Sequence, residues 1–249
     1  MNELSLFSGA GGGLLGSKLL GWHTVGYVEF NDYCQRVLAQ RIRDGILDNA
    51  PIFGDIRTFL SSGCAELYKG VTDIVTGGFP CQDISSCKRD AKGLDGEKSG
   101  LWYAMSECIS VIRPKYAFIE NSPMLTIRGL ERILCDLAAM GYDAKWCCLG
   151  GGHLYAPIKR DRLWILGVNN SIYGAGSQTV HQRADLKRYF WCAEPQDNLS
   201  NVETSWLISH GYGVREIDDV DQWVERAETI GNGQIPAVFA AAWEILNSE

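Results

Sequence analysis

No apolar stretch in this 249-residue chain approaches the roughly 20 residues that a membrane-spanning helix needs, so no span and no membrane partner are expected. Paired cysteine spacing is missing too. The nine cysteines are an odd set without a single C-x-x-C, and Cys147 and Cys148 are neighbours. Neither a disulfide framework nor a metal site is expected, and the thiols suit a reducing cytoplasm. Basic charge is scarce: 23 Lys and Arg stand against 30 Asp and Glu, a net charge of −7. That argues against a diffuse electrostatic grip on nucleic acid but leaves local patches open, and residues 88–98, 159–162 and 183–188 are the candidates. The opening Met1-Asn2-Glu3-Leu4 has no basic n-region and leads straight into strand-like sequence, so it is not read as a signal peptide. There is no internal repeat and no low-complexity tract.

What is present is an ordinary globular composition, 46% hydrophobic and 21% charged. Short β-branched runs alternate with helical patterns, the signature of an α/β fold with a doubly wound, mostly parallel sheet. Strands are expected over residues 4–7, 24–29, 51–53, 73–76, 116–119, 142–149 and 162–168. Helices are expected from about residue 14, over 32–43, around Trp102, Met105, Ile109 and Ile112, and around Leu130, Ile133, Leu134 and Leu137. Residues 1–168 thus form a core. Residues 169–229 lose periodicity and form a small irregular segment carrying Trp191, Trp206 and Trp223. Residues 230–249 close the chain with a helix whose Val238, Ala241, Ala242 and Ile245 share one face. In such a sheet the ligand site lies at the carboxyl ends of the strands.

The chemistry-bearing residues fall at those ends. Phe7-Ser8-Gly9-Ala10-Gly11-Gly12-Gly13 follows the first strand, and its glycines let a ligand approach the backbone at a helix N-terminus. Glu29 ends the second strand, where a carboxylate can accept from both ribose hydroxyls of a nucleoside. Asp55 ends the third, placed to accept from an adenine amino group. These three fit NAD, FAD or S-adenosylmethionine alike. The discriminating feature is Gly77-Gly78-Phe79-Pro80-Cys81-Gln82 after the fourth strand. A cysteine is most often a small buried hydrophobe, but this one follows proline in a glycine-rich loop at the catalytic edge. Phe118-Ile119-Glu120-Asn121 then brings a carboxylate to the mouth of the neighbouring strand. A thiol and a carboxylate beside a nucleoside cofactor are what covalent activation of a pyrimidine needs, because cytosine C5 is a poor nucleophile until something adds to C6.

In this order the motifs resemble those of the cytosine-C5 DNA methyltransferase family over most of the chain. Phe7-Ser8-Gly9-Ala10-Gly11 resembles its cofactor turn, Glu29-Phe30 its ribose-binding acid with the aromatic that packs on adenine, and Gly54-Asp55-Ile56 its adenine-side motif. Pro80-Cys81-Gln82 is similar to the nucleophile motif, Glu120-Asn121 to the acid motif, and Lys159-Arg160-Asp161-Arg162 to the basic target-base motif. Gly231-Asn232 with Pro236 is similar to the last motif, which returns to the cofactor pocket. The resemblance implies a Rossmann-like class I methyltransferase fold, S-adenosylmethionine as cofactor and double-stranded DNA as partner. A monomer in a bacterial or phage-infected cytoplasm is the default expectation, and a solitary, phage-encoded enzyme and a restriction partner fit equally. It implies that Cys81 adds to C6 of a flipped-out cytosine. Glu120, protonated, would donate to N3, with Arg162 orienting it or the base and Arg160 supporting that corner. Gly12, Gly78, Pro80 and Asn232 would complete the cofactor pocket, and Gly100-Leu101-Trp102, where the next helix starts, would line it. The loop over residues 83–98 would close on DNA, bringing Gln82, Ser85 and Ser86 near the base and Lys88, Arg89 and Lys92 toward phosphate, with Asn121 beside the target.

Three positions depart from the family pattern. Ile158 stands where the basic motif usually has glutamine, and Ser122 where valine usually follows the acid motif. The recognition region is short and lacks the arginine-rich motif that usually ends it. Recognition is therefore expected to be minimal, about two to four base pairs, through Arg183, Lys187, Arg188 and Tyr189, with Trp191 in the core. The rival readings are an RNA methyltransferase on the same scaffold, a nucleotide-binding oxidoreductase and a non-catalytic DNA-binding relative. The first lacks here the Cys-Phe-Thr of the tRNA-directed branch. The second leaves Cys81 and Glu120 unexplained. The third would require all the reacting residues to be idle.

Overall fold

Residue Leu4 and its neighbours form the strand around which the sheet is ordered. A computed structural model describes residues 1–80, 100–156, 158–171, 186–189 and 233–248. The strands are β1 (Asn2–Leu6), β2 (His23–Val28), β3 (Ile52–Phe53), β4 (Ile74–Gly77), β5 (Tyr116–Asn121), β6 (Tyr142–Leu149) and β7 (Arg162–Asn169), in the order β3-β2-β1-β4-β5-β7-β6. β1 to β5 are parallel, and β7 inserts antiparallel between β5 and β6. The helices are α1 (Gly12–Leu19), α2 (Asp32–Arg43), α3 (Ile56–Ser61), α4 (Gly100–Ile112), α5 (Leu130–Ala139) and α6 (Pro236–Ser248).

Alternation along each strand divides the core into two faces. In β7, Leu163 and Ile165 join the cluster that holds α4 and α5, while Trp164 and Leu166 join the one that holds α6. Successive side chains of a strand point to opposite faces, so both faces must be covered for so apolar a strand to be stable. Helix α2 shows why the local sequence makes its element. The Asn31 side chain accepts from the Cys34 N–H at 3.0 Å, Asp32 sits in the first turn, and Arg41 and Arg43 in the last, the arrangement that complements the helix dipole.

The expected strands are all present, with shifted ends. β1 stops at Leu6 rather than Phe7, because Phe7 takes φ +53° and turns the chain. β5 continues past Ile119 to Asn121, since antiparallel β7 pairs Glu120 with Trp164 and Asn121 with Leu163. α3 is too short to leave a periodic signal. The one-sided apolar face expected for the last helix is corrected: Val238 to Trp243 are buried without interruption. Phe239 meets Phe118 and Trp164 edge-on at 5.0 and 5.8 Å, and also packs against Gly16 of α1, so α6 is enclosed between the sheet and α1. No helix among the described residues is long and apolar enough to cross a membrane.

The centre of the sheet holds one buried acid. Glu3 is fully buried, and Thr76 and Thr24 donate to its two oxygens at 2.6 and 3.2 Å. Burial pushes its carboxyl up to about 7, against the lowering effect of these hydroxyl donors. A carboxyl with a raised folded pKa binds its proton more tightly in the folded state. Its contribution is in full below the unfolded pKa and is lost as pH rises through about 7. Glu3→Gln should therefore gain on the natural protein as pH rises from about 5 to about 8, its relative Tm improving by at least about 2 °C. Thermal unfolding across that range checks this, and a Tm difference independent of pH would count against it.

Candidate active site

Strand order reverses between β1 and β4, and a cleft of about 660 Å³ opens there at the strands' carboxyl ends. The turn after β1 forms its floor. Phe7 and Gly9 both take left-handed backbone, φ +53° and +54°; for Phe7 this is strained, at a cost of about 1–2 kcal/mol. The turn is tied down by the Ser8 N–H donating to the Val28 carbonyl at 3.2 Å and by the Ser8 hydroxyl contacting Ser5 at 3.0 Å. Glu29 faces it from the end of β2, only 8% exposed, accepting from the Gly9 N–H at 2.6 Å and the Asn31 N–H at 2.8 Å. Burial raises its pKa, and these backbone donors work against that. A carboxylate has about four lone-pair positions, so Glu29 keeps acceptor capacity beyond these backbone donors.

Around this acid the cleft is lined by Phe7, Gly9, Ala10, Gly12, Phe30, Asp55, Ile56, Gly78, Pro80 and Leu101, ten of the residues expected to bind cofactor. Phe30 presents its ring 75% exposed. Asp55 also caps α3, its Oδ1 accepting from the Arg57 N–H at 2.8 Å. Two expectations change. Gly11 is not a wall of the cleft: at φ +88° it starts α1 and lies against Leu14 and Leu38. Trp102, expected to line the pocket with Leu101, is fully buried and donates its indole N–H to Asp136 at 2.8 Å.

The opposite end of the cleft is built by β4, β5 and β7. Glu120, its side chain 13% exposed, pairs with Arg162 across the antiparallel ladder, Nε to Oε1 at 2.7 Å. Burial raises the Glu120 pKa, while Arg162, Gln234 and Arg160 pull it down. Burial and the Arg162 charge in turn lower Arg160, which takes φ +35°. Asn121, expected beside DNA, is 2% exposed. Its amide donates to the Phe79 carbonyl at 3.1 Å and accepts from the Ser122 N–H at 2.7 Å. It anchors the loop that runs through Gly78, Phe79 and Pro80 toward Cys81. Ser122 caps the following turn, accepting from the Met124 N–H at 3.3 Å, which gives serine a structural use where the family has valine. Ile158 is 52% exposed, its carbonyl packed over Gly151.

Cys81, Gln82, Ser85, Ser86, Lys88, Arg89, Lys92, Arg183, Trp191 and Asn232 lie outside the described residues, as does almost all of 172–229. Lys187 lies on the short turn Leu186–Tyr189. That turn docks on α6, where Arg188 pairs with Glu244 and stacks over the Tyr189 ring at 4.9 Å. Tyr189, expected to touch DNA, is 7% exposed and donates to Glu244 at 3.1 Å, because its ring completes the apolar cluster around α6. One site residue was missed. Gln234 approaches Glu120 Oε2 at 3.5 Å from 114 positions away. The only sequence signal was a polar residue between the Gly231-Asn232 pair and Pro236.

Solved structures similar to this one include DNMT2 of Spodoptera frugiperda (TM-score 0.55, 15% identity, 72% of this chain and 53% of that one) and the methyltransferase EhMeth of Entamoeba histolytica (TM-score 0.52, 16% identity, 76% and 59%). The fold is thus the Rossmann-like methyltransferase fold. A sequence model of C-5 cytosine-specific DNA methylases matches residues 1–225, and the chain belongs to that family. Similar curated proteins are the type II methyltransferases M.NgoBI of Neisseria gonorrhoeae, 27% identical over 83% of this chain and 61% of its own length, and M.Sau96I of Staphylococcus aureus, 28% identical over 69% and 39%. The chain therefore spans about half the length of these relatives.

The Asn121 anchor is open to test. Asn121→Ala leaves the buried Phe79 carbonyl without its side-chain donor, which costs about 1–3 kcal/mol. Urea denaturation should show that loss in the midpoint at unchanged slope.

Proposed function

We propose that this protein is a DNA (cytosine-5-)-methyltransferase that takes its methyl group from S-adenosylmethionine. One observation carries the reading. A nucleoside-type subsite around Glu29 and a buried, arginine-paired Glu120 share one cleft, which the chain enters through Gly78 and Pro80 directly ahead of Cys81. The residues present fit the cofactor: Glu29 keeps lone pairs for the ribose hydroxyls, Phe30 offers a ring face to a purine, and Asp55 an acceptor to its amino group. When bound, the cofactor supplies an electrophilic methyl on a sulfonium.

The protein's own groups do the rest. The target cytosine leaves the duplex, because its ring faces cannot be reached while stacked. The Cys81 thiolate forms a bond to C6. Burial raises the Glu120 pKa and so favours its protonated form, the form that donates toward N3 as electron density moves onto the ring. Arg162 holds the carboxyl in place through Oε1. With C5 methylated, its proton passes to water, the C6–S bond breaks to restore the thiolate, and the N3 proton returns to Glu120. Arg160 adds positive charge at the same corner. The protein acts as a monomer on double-stranded DNA with a short target, in a bacterial or phage-infected cytoplasm, and needs no metal.

Purified protein, S-adenosylmethionine and unmethylated DNA, with RNA in parallel, should yield 5-methyldeoxycytidine from DNA alone when the nucleosides are weighed by mass spectrometry. A methylated cytidine from RNA alone would move the substrate to RNA, and none from either would defeat the proposal. Cys81→Ala should abolish transfer while retaining cofactor binding, and C5-fluorinated cytosine should trap a covalent complex only when the thiol is present. Glu120→Gln should lower kcat by about 10²–10⁴-fold. Activity in the natural protein should fall as pH rises through the raised Glu120 pKa, since the protonated form is the one that works.

A further inference from the structure

Gln234 touches both halves of the cleft. It lies just ahead of α6, and its main chain crosses Gly12, where a Cβ would come within 2.9 Å of the Gln234 nitrogen and overlap its carbonyl oxygen. Its side chain runs on into the cleft. A Cβ on Gly13 would overlap Gln234 Oε1, and one on Gly78 would lie 3.2 Å from Gln234 Nε2 and overlap Glu120 Oε2. Gly13 and Gly78, from two separate parts of the chain, thus leave room for one amide and the carboxylate it faces, and Gly12 leaves room for its main chain. The amide is oriented by its surroundings: its oxygen faces the first turn of α1, where backbone N–H groups are unpaired within the helix, and its nitrogen faces a carboxylate.

We propose that Gln234 is a positioning residue for methyl transfer, its amide fixing the rotation of the Glu120 carboxyl so that Oε2 faces the loop leading to Cys81. The proposal rests on the assignment of Glu120 as the acid that serves the base. The charged groups facing Glu120 are Arg162 and Arg160, and Arg162 occupies Oε1 at 2.7 Å. Oε2 faces Gln234 at a long 3.5 Å rather than the Arg162 charge, which makes it the oxygen better suited to hold the transferable proton. An amide donor there orients the carboxyl without competing strongly for it, as a second cation would. It also ties the C-terminal segment to the cofactor turn, so that the two ends of the cleft are set by one side chain.

Gln234→Met keeps the length and volume but removes the donor. Cofactor affinity should stay within about threefold, while kcat falls roughly tenfold. The amide holds the Glu120 pKa down, so without it the alkaline limb of the kcat–pH profile should move to higher pH. Gln234→Glu keeps the shape and adds a like charge beside Glu120, so its limb should move further in the same direction. This second variant serves if the first does not fold. A residue that only filled space would leave kcat and the limb of Gln234→Met at natural values, and that result, or an unmoved limb in Gln234→Glu, would overturn the proposal. Glu120→Gln separates the two readings. If it retains full activity with no alkaline limb, the role of Glu120 itself is wrong. If it is inactive while both Gln234 variants behave naturally, only the role of Gln234 is wrong.

Discussion

The reversal of strand order between β1 and β4 is the constraint on which the rest of this molecule depends. Parallel strands connected on opposite sides of a sheet send their following segments apart, and the gap between them cannot be filled by either connection. Here the glycine turn after β1 and the Gly77–Pro80 loop after β4 part at that point, and the ends of β2 and β5 flank them. The two apolar faces of the sheet, with α4 and α5 on one and α1 and α6 on the other, hold those ends where they are. Displacing a strand end would move an acid out of the cleft.

Two carboxylates within that cleft meet different partners, and the partners divide their proposed roles. Glu29 is held by backbone N–H groups of the turn itself, which favour its charged, accepting form against the effect of burial. Glu120 is held by side chains from two distant parts of the chain, Arg162 on β7 and Gln234 before α6, and burial is the largest influence on both carboxyls. Sorting by environment gives one acceptor and one proton donor from the same residue type. The antiparallel placement of β7 matters for this reason. It sets Arg162 at the far end of the ladder from β5, beside Glu120, where a parallel strand would begin at the other edge of the sheet.

The order of elements, the glycine turn, Glu29, Asp55, the loop before Cys81 and Glu120 were all legible in the amino-acid sequence, because each depends on local pattern: a β-branched run, a break, then a polar residue at the strand end. Strand limits were less so. Phe7 reads as strand, yet it leaves the strand in left-handed backbone because the Val28 and Glu29 backbone and side chain, from another strand, capture the turn. α6 read as a one-sided helix on Val238, Ala241, Ala242 and Ile245, yet Phe239, Ala240, Trp243 and Leu246 on the rest of its surface are buried as well, because α6 is enclosed between α1 and the sheet. Asn121 and Tyr189 were given outward-facing roles by type, and contacts with Phe79 and Glu244 turned them inward, while Arg188 stays exposed but pairs with Glu244.

By itself, then, the sequence determined which residues arrive at the carboxyl edge of the sheet, since strand periodicity and glycine placement are properties of neighbours in the chain. Only the tertiary structure decided which of them meet. Arg162 reaches Glu120 across 42 positions through an antiparallel pairing, and Gln234 reaches it across 114 through the return of α6. Neither approach has a local signature, because the energy that enforces it comes from packing of α6 and β7 against the rest of the core rather than from the residues beside it.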